Sequence, residues 1–121
     1  MTKNQDIIHP FIGKYLRKEV MPHGMCPGCG NMTIANALIR AIDKKFGSFE
    51  KFVFVSGIGC AAWIPSPHFL ADTVHVLHGR AIPTATGIKL ANPDLNVIVI
   101  SGDGDLAAIG GNHLFHAARR N

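Results

Sequence analysis

The sequence predicts an α/β chain with a mainly parallel sheet flanked by helices, on three observations. Val97-Ile98-Val99-Ile100 and Phe52-Val53-Phe54-Val55 are continuous apolar runs without alternation, the pattern of strands covered on both faces. Each run ends in a glycine loop, Ser101-Gly102-Asp103-Gly104-Asp105 and Ser56-Gly57-Ile58-Gly59-Cys60. Helical periodicity fills the intervals, giving the order helix, strand, strand, helix, strand, helix.

Residues 1–24 mix polar and apolar side chains around Pro10 and Pro22, which reads as a packing arm with a short helix around Phe11 to Lys18. Cys26-Pro27-Gly28-Cys29-Gly30 opens an amphipathic helix in which Ile34, Leu38, Ile42 and Phe46 recur every four residues beside Ala35 and Ile39. Asn31 or Thr33 is its expected cap and Gly47 its end. Pro65 and Pro67 bar a regular helix directly after Cys60. Thr73 to Leu77 is expected as a short strand running into His78-Gly79-Arg80. Ala81 to Leu90 then forms a helix with Pro83 in its first turn. Asn92-Pro93-Asp94 turns the chain into the strand at Val97, expected to be the central one, and a helix follows from Leu106 to Ala118. The chain stops at Asn121 without a returning strand, the pattern of a fragment or of one piece of a larger polypeptide.

With 121 residues and 47% hydrophobic content the chain is long enough for a single domain. Its net charge of +4 is spread over scattered pairs such as Lys44-Lys45 and Arg119-Arg120, with no basic run that would suit nucleic acid. No apolar run reaches the length of a membrane span and no leader pattern follows Met1, so a cytoplasmic protein is expected. Three cysteines cannot pair off completely, which favours metal or redox chemistry over structural disulfides.

The Gly102-Asp103-Gly104-Asp105 loop sits where open α/β sheets bind cofactors, at the carboxyl end of a parallel strand. Gly102-x-Gly104-x-x-Ala107 also fits a dinucleotide fingerprint, as does Gly57-x-Gly59-x-x-Ala62. The carboxylates argue against the first match, because a diphosphate lying on these glycines would face Asp103 and Asp105 as like charges unless a divalent cation stood between them. Mg²⁺ held by a carboxylate and phosphate oxygens resolves the conflict. Neighbouring parallel strands would bring Cys60 close to the Asp103 loop. Cys26 and Cys29, with Cys60 distant in sequence, leave three chemistries open: an iron–sulfur cluster lacking one thiolate, zinc with a histidine such as His23, or a dithiol at a helix start. His75, His113 and His116 read as packing or structural histidines. Trp63-Ile64-Pro65 reads equally as one wall of a pocket or as a plain hydrophobic loop.

In order along the chain, His9-Pro10, Cys26-Pro27-Gly28-Cys29-Gly30, Ser56-Gly57-Ile58-Gly59-Cys60, His75-Val76-Leu77-His78-Gly79-Arg80, Ser101-Gly102-Asp103-Gly104-Asp105 and Gly110-Gly111-Asn112-His113 resemble the β subunit of 2-oxoacid:ferredoxin oxidoreductases. The resemblance implies a thiamine-diphosphate-binding fold of the diphosphate type, with residues 1–121 as the N-terminal part of one domain and about 1–30 as a cluster-ligating arm. It implies a [4Fe–4S] cluster held by Cys26, Cys29 and Cys60, with a fourth cysteine downstream. It further implies that Ile58, Gly59, Cys60, Ala61, His78, Gly104 and Asp105 contact thiamine diphosphate and that Asp103 binds Mg²⁺. The family's asparagine pair, which completes the metal site, falls beyond Asn121. The implied reaction is CoA-dependent oxidative decarboxylation of a 2-oxoacid, leaning toward 2-oxoglutarate, with electrons passed to ferredoxin. An α subunit is the implied partner, supplying the pyrimidine-binding domain. A Rossmann-like nucleotide-binding module and a zinc- or dithiol-bearing interaction protein are the alternatives.

Overall fold

A computed structural model describes residues 11–120. The expected motif at His9-Pro10 lies outside the described residues. Three parallel strands form one sheet in the order β2-β1-β3: β1 is Phe52–Ser56, β2 is Asp72–His75 and β3 is Asn96–Val99. Val53 lies opposite Asp72 on one side and Val97 on the other. The expected α/β class with a parallel sheet is therefore found, but the strand at Val97 is not central among the described residues. β1 is central and buried along its whole length, whereas β3 lies at the sheet edge and its residues are half-buried. An unbroken apolar run marks a strand made for two covered faces; it does not tell which strand has two neighbours.

Helix α1, Gly30–Phe46, ends at Gly47, whose left-handed φ of 75° lets its N–H reach the carbonyls of Ile42 and Asp43. Neither Asn31 nor Thr33 caps its start. Cys29 occupies that position in extended conformation, with no side-chain cap. The buried stripe is Ala35, Ile39 and Ile42, while Ile34 and Phe46 are about half exposed, so the apolar stripe is rotated from the four-residue series. This face meets Phe11, Tyr15, Phe49, Phe52, Phe54 and Phe69 in an aromatic core. The described part of the N-terminal arm does pack, but not as the expected helix: residues 11–16 form tight turns, in which Tyr15 and Leu16 N–H groups both reach the Phe11 carbonyl, and among the arm's described residues the only helical turn is Lys18–Val20.

Helix α2, Ala81–Ala91, covers the other face, where Ala81 and Ala85 meet Val53 and Val55. The second strand covers Asp72–His75 rather than Thr73 to Leu77, and the Val76 N–H adds one last rung to the ladder, to the Ser56 carbonyl at 2.8 Å. The helix expected from Leu106 to Ala118 is two elements: a wide π-type turn at Gly104–Ile109, then α3 at Gly111–Arg120. Gly110 divides them, and its N–H reaches back five residues to the Asp105 carbonyl at 3.0 Å. Among the described residues no helix is long and apolar enough to cross a membrane.

Candidate functional site

Because the strands are parallel, the loops leaving β1, β2 and β3 gather along one edge of the sheet. After β1 the chain passes through Gly57, Ile58 and Gly59 into a short 3₁₀ turn at Cys60–Trp63, the most helix that Pro65 and Pro67 leave room for. After β2 it runs through His78-Gly79-Arg80 into α2, and after β3 through Ser101–Asp103 into the π turn.

Asp105 ties these loops together. Its side chain is fully buried, and Oδ1 accepts hydrogen bonds from the Gly79 N–H at 2.8 Å, the Ile58 N–H at 3.1 Å and His78 Nδ1 at 2.6 Å. Burial pushes the Asp105 carboxyl upward, but the N–H groups of Gly79 and Ile58, with Ser101 and His78, outweigh it and hold the group below the ordinary carboxylate range. A buried anion supported by several donors is the arrangement in which such a charge is tolerated.

Glycines make that arrangement possible. A Cβ on Gly57 would overlap the Asp105 carboxylate, and one on Gly110 would overlap the Asp105 carbonyl. Gly79, with φ of 77°, passes so close to Ile109 and Gly110 that a side chain there would meet both. All three, Gly57, Gly79 and Gly110, belong to the glycine-bearing motifs of the sequence. Their role is to let the three loops approach around one carboxylate.

Asp103 is turned the other way. It is exposed, it stands in αR conformation at the start of the π turn, and its carboxylate makes no capping bond. Space is open around Gly104, and Gly102 comes only as near as 4.0 Å, measured from its missing Cβ to Ala61 Cβ. An uncommitted hard oxygen donor on an open glycine turn suits Mg²⁺ with phosphate oxygens, which need one or two carboxylates from the protein. Asp105 does not share that role through its side chain, which faces inward, with Oδ1 bonded to the protein and Oδ2 buried without a hydrogen-bond partner among the described residues.

The approach of Ala61 to Gly102 also shows that the Cys60 turn lies beside the Asp103 loop, as adjacent parallel strands require. Cys26, Cys29 and Cys60 are all free thiols, with Cys26 and Cys60 exposed. Cys26 and Cys29 share a tight turn, closed by a 3.0 Å bond from the Cys29 N–H to the Cys26 carbonyl. Among the described residues no three His, Cys, Asp or Glu side chains are grouped to hold a metal ion, so the three thiols do not form a closed cage here.

The histidines separate by partner. His75 meets the buried Ser56 hydroxyl at 3.0 Å, and His68, not singled out by sequence reasoning, is buried against the Trp63 carbonyl at 2.5 Å. His113 receives a hydrogen bond from the Arg80 guanidinium at 2.6 Å, linking α3 to the start of α2. Trp63 is half exposed and lines a small cavity with Ala62, Ser66, Pro67 and His75. Sequence reasoning also missed the clasp around Asp105. Its signal was present in the glycines at 57, 79 and 110, each placed where a side chain would strike the Asp105 or Gly110 region.

A parallel sheet whose carboxyl edge carries an exposed carboxylate on a glycine turn defines a cofactor-binding α/β domain. Residues 57–121 match the family model described as the thiamine pyrophosphate enzyme, C-terminal TPP binding domain, and the chain belongs to that family. It is 50% identical over 113 residues to the 2-oxoglutarate synthase subunit KorB of Methanothermobacter marburgensis, covering 93% of this chain and 39% of that protein. It is 56% identical over 99 residues to a 2-oxoacid:ferredoxin oxidoreductase subunit beta of a Sulfolobus species, covering 79% of this chain and 32% of the relative. Among solved structures it resembles a 2-oxoglutarate:ferredoxin oxidoreductase from Magnetococcus marinus with 2-oxoglutarate, coenzyme A and succinyl-CoA bound. That likeness has a TM-score of 0.83 at 42% identity, over 90% of this chain and 36% of that one. The chain thus spans well under half the length of these relatives.

Proposed function

We propose that this chain is the diphosphate-binding part of the β subunit of a 2-oxoacid:ferredoxin oxidoreductase. Such an enzyme converts a 2-oxoacid, CoA and oxidised ferredoxin into acyl-CoA, CO₂ and reduced ferredoxin, and 2-oxoglutarate is the favoured acid. The observation that carries this reading is the uncommitted Asp103 carboxylate on an open glycine turn, held over the carboxyl edge of the sheet by the buried Asp105 clasp. The names of the similar proteins support the substrate class.

In this reading Asp103 ligates Mg²⁺, and the cofactor lies against the Ile58 to Ala61 loop, His78, Gly104 and the backbone of Asp105. When bound, thiamine diphosphate supplies the carbon nucleophile and electron sink that a 2-oxoacid needs in order to lose CO₂. The chain's own part is to anchor the diphosphate. Glycine turns let the backbone approach the phosphates, Asp103 brings a compensating cation, and the buried Asp105 charge is kept from them by its own donors. The α subunit supplies the pyrimidine-binding domain. Cys26, Cys29 and Cys60 are assigned to a [4Fe–4S] cluster whose fourth thiolate comes from outside the described residues. Three free soft donors support that assignment, and they suit the reducing cytoplasm.

The test is made on the complete subunit with its partner. Asp103→Ala should lower Mg²⁺-dependent thiamine diphosphate affinity by at least about tenfold in titration calorimetry, the scale on which even outer partners of a metal act. Unchanged affinity would remove Asp103 from the metal site. Iron and sulfide analysis of the anaerobically purified complex should show a cluster that is depleted by Cys60→Ser. Zinc in place of iron would overturn the cluster assignment. Turnover with 2-oxoglutarate, pyruvate and branched-chain 2-oxoacids decides the substrate.

A further inference from the structure

We propose that Asp105 is a positioning residue for His78: it fixes the imidazole with its proton on Nδ1, so that Nε2 is the ring nitrogen offered to a ligand at the carboxyl edge of the sheet. The inference does not depend on which ligand occupies that edge. His78 is half exposed, while the Asp105 carboxylate on which its ring rests is fully buried. An ionised carboxylate only accepts hydrogen bonds, so a contact of 2.6 Å between Asp105 Oδ1 and His78 Nδ1 requires the proton to sit on Nδ1. The opposite tautomer would press a nitrogen lone pair against the anion. Which ring nitrogen carries the proton is set in this way by the partner of the other.

The same oxygen accepts the N–H of Gly79, the next residue along, so ring and backbone are held in register by one atom. The carboxylate has little freedom to move. The Ile58 N–H holds it from the β1 loop, and Gly57 and Gly110 leave no room for a Cβ beside Asp105. Nε2 therefore presents its lone pair at that edge, where it accepts a hydrogen bond.

Long-range proton–nitrogen correlation NMR on the ¹⁵N-labelled full chain tests this, with His78 assigned by the signal lost in His78→Gln. At a pH where the ring is neutral, His78 should show a protonated Nδ1 and a bare Nε2. Asp105→Asn, which keeps an oxygen acceptor, should retain that tautomer. Asp105→Ala should invert the ratio toward Nε2–H, the form a solvated imidazole favours. A wild-type spectrum with the proton on Nε2 overturns the proposal without any variant, which covers the case in which Asp105→Ala fails to fold. Retention of the Nδ1–H form in a folded Asp105→Ala chain overturns it equally.

Discussion

The two faces of β1 are built differently. On one, Phe52 and Phe54 share a core with residues of α1 and the N-terminal arm, and Phe54 meets the loop residues Phe49 and Phe69 edge to face at centroid distances of 5.0 Å and 4.9 Å. On the other, Val53 and Val55 meet only the alanines of α2 among buried residues, and the surrounding apolar side chains are half-buried. Alternation along a single strand, large then small, produces the contrast. The aromatic face spends bulk on stability. The small face lets α2 lie close to the sheet, so that the loop entering it brings His78 and Gly79 to the carboxyl edge, where Asp105 bonds both.

If the aromatic face carries most of the stability, Phe54→Ala should cost about 3–5 kcal/mol in denaturant unfolding. Val55→Ala, which removes only two methyl groups, should cost about 2 kcal/mol. Equal losses would show that the two faces share the core evenly. Gly57→Ala sharpens the contrast between core and site. Its Cβ must displace a carboxylate held by three N–H groups, so a loss of about 1–3 kcal/mol is expected, together with loosening of the Ile58 and Gly79 amides in hydrogen exchange. Gly87, in the middle of α2 with open space around it, serves as the control. There Gly87→Ala should stabilise by about 0.5–1 kcal/mol, because the helix gains and nothing is displaced.

The sheet and its parallel sense were legible because continuous apolar runs ending in glycine loops have few other uses, and the motif order carried the family. Strand order was not legible: Phe52–Val55 and Val97–Ile100 carry the same pattern, yet among the described residues one is central and the other at the edge. The π turn was hidden as well. Gly104 to Ile109 has the composition of an ordinary helix start, and its widening depends on the close passage of Gly79 and Gly110, which is a tertiary fact. The two aspartates of the turn looked equivalent by charge. Only the fold separates them, sending Asp103 to the open side and Asp105 into the clasp.

The smallest expected effect concerns the seam between the N-terminal arm and α1. Asp43 accepts hydrogen bonds from Lys14 at 2.6 Å and from the Tyr15 hydroxyl at 2.5 Å, and that hydroxyl also lies 2.7 Å from the Gly47 carbonyl at the helix end. The Lys14 ammonium first, and then Tyr15, hold the Asp43 carboxyl below its ordinary value of 3.8. A carboxyl whose folded value is depressed contributes stability that is complete above the unfolded value and is lost as pH falls through the folded one. The arm should therefore loosen in acid, from about pH 5 downward, and Asp43→Asn should flatten that limb of the stability profile without altering it near neutrality by much, since the pair is solvent-screened. Burial first, with Asp43 adding to it, raises the Tyr15 hydroxyl, so its contribution fades in the opposite direction, as alkali ionises the phenol. Tyr15→Phe should remove the alkaline dependence and leave the acid limb largely in place, because Lys14 remains on Asp43. The chain's one tyrosine and one tryptophan make the measurement direct: Tyr15 absorbance follows the alkaline limb and Trp63 fluorescence the acid one. An acid limb unchanged in Asp43→Asn would mean that other carboxylates govern the loosening and that the seam rests on Tyr15, through its packing on Phe11 and Phe49 and its hydroxyl contact with Gly47.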